Sequence, residues 1–335
     1  MGYVLGADGG GTKTDIFIFH TDGTLVASAR GGAANHEVYP GGFSEMTPVF
    51  DALCERALRA AGIRAQDVCA SVFGLAGIDI PSQKTRMEAH LISRGFHAPF
   101  VINDAFLGIK AMCPNGAGVG FVNGTGNSFG GIDLEGNWLQ VGGTGLAVGD
   151  LSGARGMAEA VLQAVYGAFY CMQPATAMAD KFLRLVGAKD ESELVERIYQ
   201  RYFFGDIQPK EIIAILYDSA EEGDAAALAL LDTLAERLAR SLGGLIGRLS
   251  FGDTVDIVLI GSANLKGKAH LLTQRVRERT QALTGKACRM LPLALPPAVG
   301  AVLWAIEQVD GAVGPQVRAR VLAALSEPDG EPAAR

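Results

Sequence analysis

Leu5-Gly6-Ala7-Asp8-Gly9-Gly10-Gly11-Thr12-Lys13-Thr14 puts an apolar strand, a run of glycines and the start of a second strand in direct succession. Glycines in such a run can turn tightly and, with the threonine hydroxyls, aim several backbone N–H groups at one anion. Phosphate is the natural guest. Asp15 to Phe19 continues as an apolar strand, and Leu25 to Ala29 follows the Asp22-Gly23 turn, so the chain is expected to open as three antiparallel strands.

The same logic returns more than a hundred residues later. Gly118-Val119-Gly120-Phe121-Val122-Asn123-Gly124-Thr125-Gly126 is again strand, glycine turn and strand, followed by Glu135-Gly136 and a third apolar segment, Trp138 to Val141. A pattern that occurs twice is not a solenoid; it predicts two lobes built on one hairpin plan and facing each other. The expected class is α/β, with two similar domains around a central cleft. The first domain is placed at residues 1–113 and the second at 114–312, with a helical insert at about 154–250. Residues 313–335 are read as a C-terminal helix and a tail, and the Pro-, Glu- and Ala-rich stretch Ser326 to Arg335 is expected to be disordered. The hinge is expected near Ala111 to Asn115.

Between the two hairpins, Phe43 to Ala61 carries apolar residues at helical spacing. Val68 to Leu75 reads as a buried strand, Lys84 to Arg94 as a helix and Pro99 to Ile102 as a short strand. Beyond Gly153 the pattern is helical to Leu249, and one strand, Val255 to Ile260, precedes the final helices.

The 335 residues are 49% hydrophobic and 19% charged, the composition of a globular protein large enough for two cores. The formal charge of −7 and the scattered lysines and arginines exclude a polyanion footprint, so neither nucleic acid nor an anionic membrane is an expected partner. No apolar run approaches the ~20 residues of a membrane span, and the chain enters its first strand without a leader-like segment. A cytoplasmic location is expected. Cys54, Cys69, Cys113, Cys171 and Cys288 are far apart and read as buried reduced thiols.

The first glycine loop is not a dinucleotide fingerprint, because G-x-G-x-x-G fails at its last position and a strand follows. Nor is a Walker loop present: Gly261-Ser262-Ala263-Asn264-Leu265-Lys266-Gly267-Lys268 has one spacer too many and no Ser or Thr after the lysine. Two phosphate-type hairpins on opposed lobes, with Gly261-Ser262 after a buried strand, instead predict a clamp on a nucleotide polyphosphate. Gly10, Gly11, Thr12, Lys13, Gly124, Thr125, Gly126, Gly261 and Ser262 are the candidate nucleotide contacts. Asp8, at the end of the first strand, is the candidate Mg²⁺ carboxylate, acting through water.

Phe100-Val101-Ile102-Asn103-Asp104 ends a buried strand in an acid immediately before a helix. Ligands of α/β proteins bind at strand ends. Asp104 is therefore either a helix cap or the base that takes the acceptor hydroxyl proton in a phosphoryl transfer. Asn35-His36 and the loop from Gly142 to Asp150 offer side chains suited to sugar hydroxyls.

These residues resemble the N-acetylglucosamine kinase and BadF/BadG ATPase group, within the actin, sugar kinase and Hsp70 superfamily. Asp8 to Thr14 is similar to its first phosphate motif, Asn123 to Ser128 to its second, and Gly261-Ser262 to its adenosine motif. Asn35-His36 is similar to the pair that contacts the amino sugar, Asp104 to the catalytic aspartate and Gly149-Asp150 to the second sugar aspartate. The resemblance implies two ribonuclease-H-like (actin-like ATPase) domains, Mg-ATP as donor, transfer to a sugar 6-hydroxyl and a homodimer. It also implies acceptor contacts from Asn35, His36, Asp104, Asn127, Ser128, Gly143, Thr144, Gly145 and Asp150. Two positions depart from it: relatives commonly carry Trp at Thr144 and Glu-Gly at Leu151-Ser152, both in the sugar loop. N-acetylglucosamine is the expected acceptor, and glucosamine or another amino sugar the alternative. A different class, the ATPase activator of a 2-hydroxyacyl-CoA dehydratase or benzoyl-CoA reductase, would require a cysteine-held iron–sulfur cluster, and no cysteine lies near the second phosphate loop. A sugar-sensing regulator would be expected to carry an added DNA-binding segment.

Overall fold

A computed structural model describes residues 2–145, 148–150 and 153–325. Leu151-Ser152 and the Ser326 to Arg335 tail lie outside the described residues. The chain begins with β1 (Tyr3–Gly9), β2 (Thr14–His20) and β3 (Leu25–Gly31), the three antiparallel strands expected. Helix α1 (Phe43–Ala61) lays Met46, Phe50, Leu53, Ala57 and Leu58 on the sheet and stops at Gly62, whose φ of 68° suits a residue without a Cβ. Strand β4 (Val68–Leu75), helix α2 (Pro81–Ser93), strand β5 (Phe100–Ile102) and helix α3 (Ala105–Met112) complete this part. Helix α2 starts three residues earlier than its apolar spacing predicts, because Pro81 occupies the first turn, where its missing N–H costs nothing.

The second half repeats the plan with β6 (Gly118–Asn123), β7 (Asn127–Ile132) and β8 (Trp138–Gly142). Helices α4 (Gly153–Tyr170), α5 (Ala177–Val186), α6 (Leu194–Arg197, continuing into a π-turn at Ile198–Phe203), α7 (Pro209–Glu221) and α8 (Ala225–Ile246) form the insert. Then come β9 (Thr254–Ile260), α9 (Ser262–Leu265), α10 (His270–Thr284), β10 (Ala287–Pro292), α11 (Ala298–Asp310) and α12 (Pro315–Leu325). The two five-stranded sheets run β3-β2-β1-β4-β5 and β10-β9-β6-β7-β8. Counted within each lobe, both have the order third, second, first, fourth, fifth, which is the ribonuclease-H-like plan.

Two findings correct the sequence reading. Strand β10, parallel to β9, was not expected: its residues Ala-Cys-Arg-Met-Leu-Pro lie on a sheet edge and show no apolar alternation. Helices α11 and α12, of which α11 falls inside the expected 114–312 unit, return to the first sheet. Val299, Val302, Leu303 and Ile306 pack with Val4, Phe19 and Val72 of β1, β2 and β4, and Val321 and Leu325 join them. The apolar face of that sheet away from α1 needs a cover, and the chain end supplies it.

Helix α3 lies between the sheets. Its Phe106 and Ile109 meet Ile132, Val258 and Ile260 of the second sheet, while Leu107 and Ala111 meet α11. The approach is backbone to backbone: a Cβ on Gly120 of β6 would collide with the Ala105 carbonyl, and one on Gly300 of α11 with the Leu107 carbonyl. Among the cysteines, Cys54, Cys113 and Cys288 are buried as expected, whereas Cys69 and Cys171 are exposed.

Candidate active site

Asp104 stands at the N-terminus of α3 with no capping hydrogen bond from its side chain. Its neighbour takes that role: Asn103 Oδ1 accepts from Ala105 N at 3.0 Å and from Ser128 Oγ at 3.4 Å. The Asp104 carboxylate is thus not spent on capping the helix. Withdrawal from water pushes its pKa up to about 6, against the backbone N–H groups of residues 104 and 105, which pull it down. Asp8, at the end of β1, is raised to about 7, first by burial and then by the charges of Asp104 and Asp15, with Lys13 opposing.

Asp79 is the acid that the sequence reading missed. It lies in the turn between β4 and α2, and its Oδ1 accepts from Asn103 Nδ2 at 3.0 Å and from Gln140 Nε2 of β8 at 2.6 Å. Burial raises Asp79 to about 7; Gln140 lowers it, while Glu37, Asp104 and Asp150 raise it further. Gly143, with φ of 90°, brings the second-lobe loop onto the same carboxylate. One first-lobe side chain therefore touches the strand beside the candidate base and the candidate sugar loop of the other lobe. The signal in the sequence was the Gly77-Ile78-Asp79 turn after a buried strand, the same strand-end logic that singled out Asp104.

The other candidates sort by lobe. Gly10 N donates to Lys13 O at 2.9 Å, and Gly11, Thr12 and Lys13 project from the loop tip as exposed residues, with Lys13 on Asp15 at 3.3 Å. Gly10 O accepts from Ala34 N and Asn35 N, which ties the glycine loop to the Asn35-His36 segment. Asn35 Oδ1 accepts from Glu37 N at 2.8 Å and starts a short 3₁₀ turn. His36 stacks on Phe43 at 4.0 Å with Nε2 at 3.3 Å from Gln83; burial lowers its pKa, and its Nδ1 is enclosed without a partner.

In the second lobe Gly124 N donates to Gly126 O, and Gly124 O accepts from Ala154 N at 2.7 Å, so the glycine turn sits on the start of α4. Asn123 Oδ1 accepts from Gly153 N at 2.9 Å, while its Nδ2 donates to Asn264 Oδ1 at 3.2 Å, bringing the Gly261-Ser262 turn against this loop. Thr144 and Gly145 donate their backbone N–H groups to Asp150 Oδ2, both at 3.0 Å. Asn127 is 7% exposed, and its Oδ1 is buried with no partner. Among the described residues no hydrogen bond joins the two glycine loops to each other.

The donor set around Asp8 fits Mg²⁺. Burial and the charges of Asp104 and Asp15 disfavour the ionised Asp8 carboxylate, and a divalent cation beside it would offset that penalty. Among the described residues no group of three or more His, Cys, Asp and Glu side chains could hold a metal, so Asp8 would hold the ion with phosphate oxygens and water, as Mg²⁺ is often held.

Comparison with known proteins agrees with this architecture. A model of the BadF/BadG/BcrA/BcrD ATPase family matches residues 5–305. An N-acetylmuramic acid/N-acetylglucosamine kinase of Clostridium acetobutylicum is 24% identical over 314 residues, covering 92% of this chain and 100% of the relative. A Chromobacterium violaceum protein, provisionally named an N-acetylglucosamine kinase, superposes with a TM-score of 0.63 at 21% identity over 90% of this chain and 98% of its own. A ROK family glucokinase from Streptomyces griseus, crystallised with glucose and AMPPNP, does so with a TM-score of 0.53 at 16% identity, over 91% and 99%. At these identities the structural likeness carries the fold.

Proposed function

The chain belongs to the BadF/BadG/BcrA/BcrD ATPase family, and on that premise we propose that it is an ATP-dependent amino-sugar kinase with N-acetylglucosamine as acceptor and its 6-phosphate as product. The observation that carries the reading is the Asp104 carboxylate, which makes no capping hydrogen bond because Asn103 caps α3, and which lies near enough to Asp8 to raise its pKa.

Asp104 accepts the proton of the 6-hydroxyl as that oxygen bonds to the γ-phosphorus and the bond to the β,γ-bridging oxygen breaks, releasing ADP. Backbone N–H groups of Gly11 to Lys13 and of Thr125 and Gly126 orient the phosphates from opposite sides, with Gly261-Ser262 beside the nucleoside. Asp150, held by Thr144 N and Gly145 N, and Asn127 Oδ1 are acceptors for sugar hydroxyls or the amide N–H. Bound Mg²⁺ would neutralise developing phosphate charge. A homodimer belongs to the same reading, and sedimentation of the purified protein tests it.

The deciding measurement is ADP release with N-acetylglucosamine, glucosamine, N-acetylmannosamine, N-acetylmuramic acid and glucose. Turnover stimulated most by an N-acetylated sugar is expected; no stimulation by any of them sinks the reading. Asp104→Asn is expected to lower kcat by about 10³-fold while sugar and ATP still bind, and near-normal turnover would remove Asp104 as the base.

A further inference from the structure

Strand β8 of the second lobe meets the first lobe through Trp138 and Gln140, which point to the same face of the strand. Trp138 stands edge-on to the Phe106 ring of α3 at 5.6 Å, with the Lys84 ammonium of α2 at 5.2 Å from its centre. Gln140 Nε2 donates to Asp79 Oδ1 at 2.6 Å. Just past the strand the backbone is equally close, since a Cβ on Gly143 would stand 2.5 Å from the same oxygen. The Asp79 main chain is itself held, because Gln83 Oε1 accepts its N–H at 2.8 Å. Asp79 is thereby aimed across the seam between the lobes.

On its own side Asp79 holds Asn103, which is 3% exposed. Asn103 Nδ2 donates to Asp79 Oδ1 at 3.0 Å, while Asn103 Oδ1 accepts from Ala105 N at 3.0 Å and from Ser128 Oγ of β7 at 3.4 Å. An ionised carboxylate only accepts and a backbone N–H only donates, so the two ends of this amide are satisfied in one orientation alone. Turned over, Asn103 would set oxygen against oxygen at Asp79 and N–H against N–H at Ala105, a costly arrangement for buried groups. Asp79 thus dictates which atom of Asn103 meets the start of α3. The base depends on that choice. Aspartate caps a helix as well as asparagine does, and the Asp104 carboxylate lies close enough to Ala105 N–H to be affected by it. With Asn103 oriented, that N–H is already taken; without it, Asp104 is the next acceptor within reach.

We propose that Asp79 is a positioning residue for the phosphoryl transfer: it orients Asn103 so that Asn103, and not Asp104, caps α3, and its bond to Gln140 makes that setting depend on the docking of β8. The proposal deepens the amino-sugar kinase reading and rests on it. The competing role for Asp79 is a direct contact with the acceptor, because the turn that carries it packs on Asn35 and His36 at Gly77.

The test measures kcat and KM for MgATP and for the best acceptor among the sugars above, at about pH 8, where Asp79 is ionised. It compares the full-length wild type, Asp79→Ala, Asp79→Asn, Gln140→Ala and the double variant Asp79→Ala/Gln140→Ala, each well below its own Tm. Asp79→Ala should lower kcat and kcat/KM together by about 10–100-fold with both KM values within about threefold, because a displaced base is felt in the transition state rather than in binding. Asp79→Asn keeps an oxygen that accepts from both amides and should recover most of that loss. Gln140→Ala should cost about 3–10-fold, and the double variant no more than Asp79→Ala does by itself. A raised sugar KM at wild-type kcat assigns Asp79 to the acceptor and overturns the proposal. Equal losses in Asp79→Ala and Asp79→Asn overturn it too, since charge and not the amide contact would then matter. A double variant whose loss is the product of the single losses breaks the link to β8. If the wild type phosphorylates no sugar, the kinase reading fails, and NMR still reads the positioning: the Asn103 Nδ2 protons should exchange with solvent about tenfold faster in Asp79→Ala than in wild type or Asp79→Asn. Equal exchange in all three proteins rejects it.

Discussion

The hairpins β1–β2 and β6–β7 are the same structure put to two uses. Counted back from the last pair next to the glycine loop, the fourth pair holds Gly6 opposite Phe17 in one and Gly120 opposite Gly130 in the other. Each of these strand glycines admits the backbone of a crossing helix, α11 at Gly6 and α3 at Gly120. The pairs nearest the loop differ. Asp8 faces Asp15 where the second hairpin has Val122 facing Ser128, and Gly9 faces Thr14 where the second has Asn123 facing Asn127. A duplicated frame thus keeps its packing glycine, while one copy ends in charge and the other in two amides, of which Asn123 ties down the neighbouring turns.

The sharpest way to break the contrast is to give the first hairpin a neutral end. Asp8→Asn should lower kcat by about 10²–10³-fold and raise the Mg²⁺ concentration needed for half-maximal rate; a change of less than about threefold would detach Asp8 from the chemistry. The shared packing glycine should matter equally in both copies. Gly6→Ala drives a Cβ into Val302 N and Gly120→Ala drives one into the Ala105 carbonyl, so each should cost about 3 kcal/mol by denaturant titration. A wide gap between the two costs would show that the frames do not bear equal load.

The amide end is tested by Asn123→Ala, which leaves Gly153 N and Asn264 Oδ1 buried without Asn123. A loss of about 2 kcal/mol is expected, with the KM for ATP raised because the Gly261 turn loses its tie. The smallest effect is in pH. The raised pKa values of Asp8 and Asp79 mean that the folded state holds protons which the unfolded chain releases near 3.8. Their stability contribution is present below that value and is lost as pH rises towards about 7. His36, with its lowered pKa, acts in the opposite direction near its ordinary value. In chelator, without ligand, the Tm should fall by about 2 °C or more between pH 5 and 7 and flatten in Asp79→Asn. A wild-type Tm that rises over this range would contradict the enclosed acids.

Much of the fold was legible because its signals are local. Alternating apolar residues broken by glycine give both hairpins, and helical spacing gives α1 with its observed ends. Strand β10 escaped because an edge strand needs no apolar alternation, and the return of α11 to the first sheet escaped because its apolar face reads the same whichever sheet it covers. In the site, Asp104 was visible as a strand-end acid, but that its neighbour rather than Asp104 itself caps α3 was not. That depended on Asn103 taking the Ala105 N–H. Asp79 and Gln140 were not legible as partners, since their hydrogen bond joins segments far apart in the chain.

The sequence by itself determined two glycine hairpins of one plan, the strand that delivers Asp104, and an acidic chain without a polyanion footprint, because turn geometry and periodicity act over a few residues. Only the tertiary structure decided which acids meet. Asp8, Asp79 and Asp104 gather where two sheets close on α3, and burial, which no local pattern encodes, raises their proton affinity there.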